Sequence, residues 1–174
     1  GNFEKGKIKD GEVYAICDLV PAKMDALKEK FGKDFKTFTD AKEMMTSGLI
    51  DAVIICTPHY IHPDLAIMAM DAGIHCIVEK PAGVYTLQVQ KMLDRAAKSD
   101  KILGIMFNQR TNPAFKKMRE MVQNGAIGEI KRTNWIITDW YRPNAYYASG
   151  DWRATWSGEG GGVLLNQCPH NLDL

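Results

Sequence analysis

Residues 51–81, DAVIICTPHYIHPDLAIMAMDAGIHCIVEKP, decide the fold. At either end lie DAVIIC (51–56) and IHCIV (74–78), short continuous apolar runs of the kind expected for strands covered on both faces. Between them, HPDLAIMAMDAG (62–73) puts Leu65, Met68, Ala69 and Ala72 on one helical stripe and stops at Gly73. Strand, helix and strand in this order make a right-handed βαβ unit with parallel strands. The stretch closes on Glu79-Lys80-Pro81, a charged pair at the end of an apolar strand. Ligands bind at the C-terminal edge of a parallel sheet. A lysine at that edge, with its backbone restricted by the proline that follows, points into the cleft.

The same alternation extends in both directions. EVYAIC (12–17), FKTF (35–38) and KILGIMF (101–107) read as strands; AKMDALKEKFG (22–32), AKEMMTSG (41–48) and LQVQKMLDRAAKSD (87–100) read as helices. The expected class is α/β, with a doubly wound parallel sheet over residues 1–107. The pattern changes near residue 108. NPAFKKMREMVQNGAIG is a helix with Pro113 near its start and Gly125 at its end. EIKRTNWIITDWYR, with Trp135 and Trp140, alternates in part and suits an antiparallel sheet with one covered face. Residues 108–174 are therefore expected to begin a second, α+β domain with an open antiparallel sheet. Its Tyr-, Trp- and Gly-rich stretch is expected to lie over a cleft.

A doubly wound nucleotide domain normally opens with a strand, a glycine-rich turn and a helix. No GxGxxG precedes the first strand here, GEGGG (158–162) falls in the second domain, and the chain stops at Leu174 within a helical pattern. The expectation is a piece of a longer protein that lacks a first βα unit of roughly 30 residues. On its own it should be a poor enzyme, without the backbone N–H donors of a phosphate turn.

Bulk properties narrow the function. The 174 residues carry a formal net charge of +1, with 45% hydrophobic and 25% charged residues. No strong field points to nucleic acid or an anionic membrane. No run of 18 apolar residues predicts a membrane span. Cys17, Cys56, Cys76 and Cys168 form no CxxC pair and no zinc spacing, and HExxH is absent, so no metal site is expected. Cysteines inside apolar runs fit a reducing, cytoplasmic setting.

Three places carry candidate chemistry. Asp18 ends the first strand, where an acid takes the ribose hydroxyls of a dinucleotide and repels a 2′-phosphate; Leu19 and Val20 offer no arginine in its stead. Asp18 could equally cap the helix near Pro21. In CTPHYIHPD, Thr57-Pro58 turns the chain at a strand end and His62 opens the next helix, for which turn chemistry is the plainer reading. In GGGVLLNQCPHNLDL, Asn166, His170 and Asp173 stand at i, i+4 and i+7, one helical face, with Asn166 as the expected N-cap and Pro169 in the first turn.

Taken together, CDLVPAKMDALKEKFG, residues 51–81, GIMFNQRTNPAF, DWRATW and GGGVLLNQCPHNLD resemble, in order, the glucose–fructose oxidoreductase and inositol dehydrogenase (Gfo/Idh/MocA) family. The resemblance implies a Rossmann domain followed by a C-terminal domain whose sheet lines the substrate site and mediates homo-oligomerisation, as dimer or tetramer. It implies oxidation of a secondary alcohol of a sugar, inositol or related polyol with NAD in preference to NADP, or the reverse reaction. A relative that uses NAD transiently to cleave glycosides, and a non-catalytic binding homologue, are the alternatives. By the same resemblance, Asp18 is the ribose acid, and Thr57, Pro58, His59 and His62 belong to the loop beside the cofactor. Glu79 and Lys80 flank the nicotinamide, Asn108 and Arg110 stand at the next strand end, and Trp152 and Arg153 reach over the cofactor. His170 is implied as the catalytic base, and Lys80 as the group that stabilises the alkoxide. Asn166 orients substrate or imidazole, and Asp173 binds a further hydroxyl. The chain departs from the family pattern at His59, usually Asn, at Asn166, often Asp, and at Cys168, often Gly.

Overall fold

The structure is a computed structural model that describes residues 2–3, 5–138 and 141–174. Along the chain it forms β1 (Ala15–Cys17), α1 (Pro21–Phe31), β2 (Lys36–Phe38), α2 (Ala41–Thr46), β3 (Ala52–Ile55), α3 (His62–Asp71), β4 (His75–Val78), α4 (Thr86–Ala96), β5 (Leu103–Ile105) and α5 (Pro113–Gln123). Four short helices follow: α6 (Asn144–Tyr147), α7 (Trp156–Glu159), α8 (Val163–Asn166) and α9 (Pro169–Asp173). Local chemistry sets the boundaries. Pro21 and Pro113 lie in first turns, and the Asp40 and Asn112 side chains accept from Glu43 N and Ala114 N as N-caps. Gly32 closes α1 in the left-handed conformation.

All the strand pairs are parallel. β1 pairs with β2, and β3-β4-β5 form a second ladder in which Ile55 lies opposite Val78 and Val78 opposite Ile105. Among the described residues no ladder joins β1 to β3. In the 3-2-1-4-5-6 order of doubly wound sheets, a first strand stands at that place. The core lies between β3-β4 and the helices α3 and α4. Ala66 and Ala69 of α3 and Val78 of β4 are wholly buried against Met92 of α4, with Met44 and Met45 of α2 completing the cluster. The small side chains of α3 bring its backbone close to the strands, and Met92 fills the remaining space.

Three expectations are corrected. The apolar runs predict strands covered on both faces, yet burial alternates. Val53, Ile55, Cys76 and Val78 point into the core, while Ile54 is 44% and Ile77 38% exposed, so the cover is one-sided among the described residues. Residues 129–138, expected as a strand of an antiparallel sheet, form none: no described segment lies alongside to complete a ladder, and an unpaired segment has no sheet to join. Its Trp135 packs instead on Phe115, ring centroids 5.8 Å apart, and Trp140 lies outside the described residues. Finally, Asn166 and His170 do not share a helix. Asn166 ends α8, and α9 begins at Pro169, which has no N–H to continue the earlier turn. No described helix is long and apolar enough to cross a membrane.

Candidate active site

Several candidate residues directly follow strands, those after β3, β4 and β5 at the C-terminal edge of one parallel ladder. Asp18 follows β1, Thr57-Pro58 follows β3, Glu79-Lys80-Pro81 follows β4 and Asn108 lies just beyond β5. The Lys80–Pro81 peptide is cis. His62, 1% exposed at the start of α3, ties two of these turns together. Its Nδ1 lies 2.8 Å from Pro81 O and its Nε2 2.7 Å from Thr57 O.

Lys80 reaches across to the C-terminal segment. Its Nζ donates to the backbone carbonyl of Asn166 and, at 3.3 Å, to Asn166 Oδ1. An ammonium has three donors, so one N–H remains for a further acceptor. Burial holds Lys80 below the ordinary lysine range. Glu79 opposes that shift, Arg142 reinforces it, Glu159 opposes it and Arg153 reinforces it. The Asn166 amide uses its other end too: Nδ2 donates to Glu159 Oε1 at 2.5 Å. Glu159 is itself 6% exposed, and its backbone oxygen lies 2.9 Å from His59 Nδ1.

The sequence GEGGG explains how an acid comes to be seated so deeply. Thr155 Oγ1 accepts from Gly158 N at 3.0 Å and caps α7. A Cβ on Gly158 would fall 2.1 Å from Trp152 O, and one on Gly160, at φ +78°, 2.4 Å from a methyl of Val84. Only glycines on both sides of Glu159 allow this close approach.

His170, on α9, meets the same region edge-on to Phe107, ring centroids 6.1 Å apart. Its Nδ1 is buried without a protein partner. Burial lowers the pKa of His170 and the Lys80 charge lowers it further, against opposing pulls from Glu79 and Asp173. Burial and the Lys80 charge both favour the neutral imidazole, whose unprotonated nitrogen can accept a proton. A cavity of about 290 Å³, bounded by Tyr146, Tyr147, Trp156, Glu159, Asn166 and Gln167, meets the Lys80 partners Asn166 and Glu159 but is lined by neither Lys80 nor His170.

Other expected site residues are engaged elsewhere. His59 and His62, expected beside a cofactor, are buried struts whose ring nitrogens face protein carbonyls. Arg110 and Asp173, expected as separate ligand contacts, form a two-pronged ion pair with each other, including Nε–Oδ2 at 2.6 Å. That pair raises the pKa of Arg110 and lowers that of Asp173. Asp18 accepts from Val20 N at 2.9 Å, a turn-closing bond, and does not cap α1, whose N-cap is Val20. Thr57 Oγ1 is buried without a partner; Pro58 and Asn108 are exposed. Trp152 lies edge-on to His59 at 5.3 Å. Arg153 donates to Tyr146 Oη at 2.6 Å and stacks over the Tyr146 and Trp152 rings. Sequence reasoning missed Glu159, Tyr146 and Arg142. For Glu159 the available signal was an acid set between glycines; Tyr146 and Arg142 carried none.

The family model described as oxidoreductase family, NAD-binding Rossmann fold, matches residues 3–107, and the Gfo/Idh/MocA C-terminal domain model matches residues 115–174. The chain is 35% identical over 167 residues to a myo-inositol 2-dehydrogenase of Thermotoga maritima, covering 96% of this chain and 47% of that protein. It is 35% identical over 121 residues to a D-glucoside 3-dehydrogenase of Escherichia coli, covering 70% and 34%. Among solved structures it resembles the WlbA dehydrogenase of Bordetella pertussis in complex with NADH and UDP-GlcNAcA, with a TM-score of 0.83 and 26% identity over 98% of this chain and 48% of that one. The chain thus spans a third to a half of the relatives it matches. By sequence and by fold, it belongs to the Gfo/Idh/MocA family of oxidoreductases.

Proposed function

We propose that the protein oxidises a secondary alcohol of a sugar, inositol or related polyol, or reduces the matching ketone, with NAD. The observation that carries this reading is Lys80 at the C-terminal edge of a parallel sheet, hydrogen-bonded to Asn166, with its charge felt at the His170 imidazole. The residues fit a nicotinamide dinucleotide. Thr57 Oγ1 is a buried hydroxyl with no protein partner, Asp18 offers a carboxylate at the ribose position after β1, and Glu79 and Lys80 follow β4. Trp152 and Arg153 stand on the opposing segment. A carboxylate at residue 18 favours NAD over NADP.

When bound, the nicotinamide supplies a hydride acceptor for the carbinol carbon. His170, uncharged at neutral pH, takes the hydroxyl proton. The remaining N–H of Lys80 donates to the same oxygen and stabilises the charge that develops on it. Because Asn166 fixes the ammonium beforehand, little reorganisation is needed as that charge appears. The aromatic walls of the 290 Å³ cavity suit the apolar faces of a sugar ring, and Glu159, Asn166 and Gln167 its hydroxyls.

We place the domain boundary between residues 107 and 108; the first family model stops at residue 107 and the second starts at residue 115. Homo-oligomerisation is supported by the exposed apolar side chains of residues 118–137, among them Met118, Ile127, Ile130 and Ile136. A cytoplasmic setting is supported by four free cysteines.

The test is absorbance at the NADH band with NAD and a panel of inositols and sugars, in the protein that carries this chain. Lys80→Met and His170→Ala should each lower turnover at least a hundredfold, the usual worth of an acid–base or electrostatic group, while NAD still binds. Wild-type turnover in both variants would reject the assignment.

A further inference from the structure

Residue 166 is an asparagine, so this residue brings no negative charge to Lys80. A negative group is nonetheless close by, one hydrogen bond further on. The Asn166 amide lies between the two: Oδ1 accepts from Lys80 Nζ at 3.3 Å, and Nδ2 donates to Glu159 Oε1 at 2.5 Å. Its dipole therefore presents its negative end to the ammonium and its positive end to the carboxylate. The reversed amide would face NH₂ to an ammonium and a carbonyl to a carboxylate, losing both bonds. Glu159 cannot move away easily, since it is 6% exposed, its carbonyl is engaged by His59, and glycines fix it on both sides.

We propose that Glu159 is a positioning residue for Lys80. Through the Asn166 amide it fixes where the ammonium points, and it supplies the buried negative charge that residue 166 lacks. Its role is a specific one, because the charged groups facing Lys80 are mixed. Glu79 lies on the same turn, and Arg142 and Arg153 come from the C-terminal segment with Glu159, while the nearby imidazoles of His59 and His170 are acted on by the Lys80 charge. Against burial and two guanidiniums, Glu79 and Glu159 favour the charged form of Lys80. The purpose of the arrangement rests on the redox reading above, but its test needs neither cofactor nor turnover.

The experiment measures acetylation of the Lys80 amine by trace acetic anhydride at pH 8, resolved by peptide mass spectrometry. Only the neutral amine reacts. Glu159→Gln keeps the shape and an acceptor for Asn166 Nδ2 but removes the charge, so Lys80 should label about three- to tenfold faster. The exchanged pair Glu159→Gln/Asn166→Asp returns one acid and one amide to the same place, and should label no faster than wild type. Unchanged labelling in Glu159→Gln, or a double variant as fast as that single one, overturns the proposal. If Glu159→Gln does not fold, the exchanged pair decides alone: folding with wild-type or slower labelling supports the role, and failure to fold or faster labelling rejects it. A merely structural Glu159 would leave these rates where they are.

Discussion

Replacing Gly158 with alanine tests how the acid side of the site is seated. The new Cβ would lie 2.1 Å from Trp152 O, 2.5 Å from Trp152 Cβ and 2.6 Å from Trp152 Cα. Two of these atoms are backbone, so no flexible side chain can swing aside. Restoring ordinary separation requires α7 and the Trp152 turn to part by about 1 Å. That strains the Thr155 cap and the His59 contact to Glu159 O. Overpacking costs about 1–3 kcal/mol, and a clash with backbone belongs at the top of that range. For a chain of this size each kcal/mol lowers Tm by about 2–4 °C, so Gly158→Ala should melt about 6–12 °C below wild type. Gly162→Ala is the control. Nothing lies within 4 Å of its Cβ, and its effect should stay within about 0.5 kcal/mol. Thermal melts followed by circular dichroism check both. A Gly158→Ala melt within 2 °C of wild type, or a Gly162→Ala loss of similar size, would refute the close packing of α7 on Trp152.

Other expectations concern core, charge and pH. Met92→Ala, at a fully buried position, should cost about 2–5 kcal/mol, read by urea unfolding. Arg110→Ala removes an ion pair whose arginine is 54% exposed, and should leave the urea midpoint close to that of wild type. His59 and His170 both have pKa values lowered chiefly by burial. The unfolded chain then takes up protons just below about pH 6.5 where the folded chain does not, so stability is full above that pH and falls as acid is added. Tm at pH 5 should lie below Tm at pH 7.5, and His59→Asn should shrink the difference.

What the sequence made legible follows from range. DAVIIC and IHCIV announce strands because their apolar side chains are adjacent in the chain, and Glu79-Lys80-Pro81 announces a sheet edge because it interrupts one of them. The roles of Lys80 and His170 rest on the family resemblance rather than on local punctuation. Contacts made far along the chain were not legible. A buried histidine whose ring nitrogens face protein carbonyls, as those of His62 face Pro81 O and Thr57 O, has the same sequence appearance as one that binds a ligand. Arg110 and Asp173 are 63 residues apart, and nothing local says that they neutralise each other. The i, i+4, i+7 spacing of Asn166, His170 and Asp173 suggested one helix, but Pro169 opens a new one. Glu159 becomes visible only once Lys80 and Asn166 are seen together.

The most direct test of the central claim is a crystal structure of the protein that carries this chain, with NADH and a cyclic polyol bound. The account predicts one carbinol oxygen within about 3.2 Å of both Lys80 Nζ and a ring nitrogen of His170, with the hydrogen-bearing carbon facing the nicotinamide. A polyol bound with Lys80 and His170 on opposite sides of it, neither touching the oxygen nearest the nicotinamide, would contradict it.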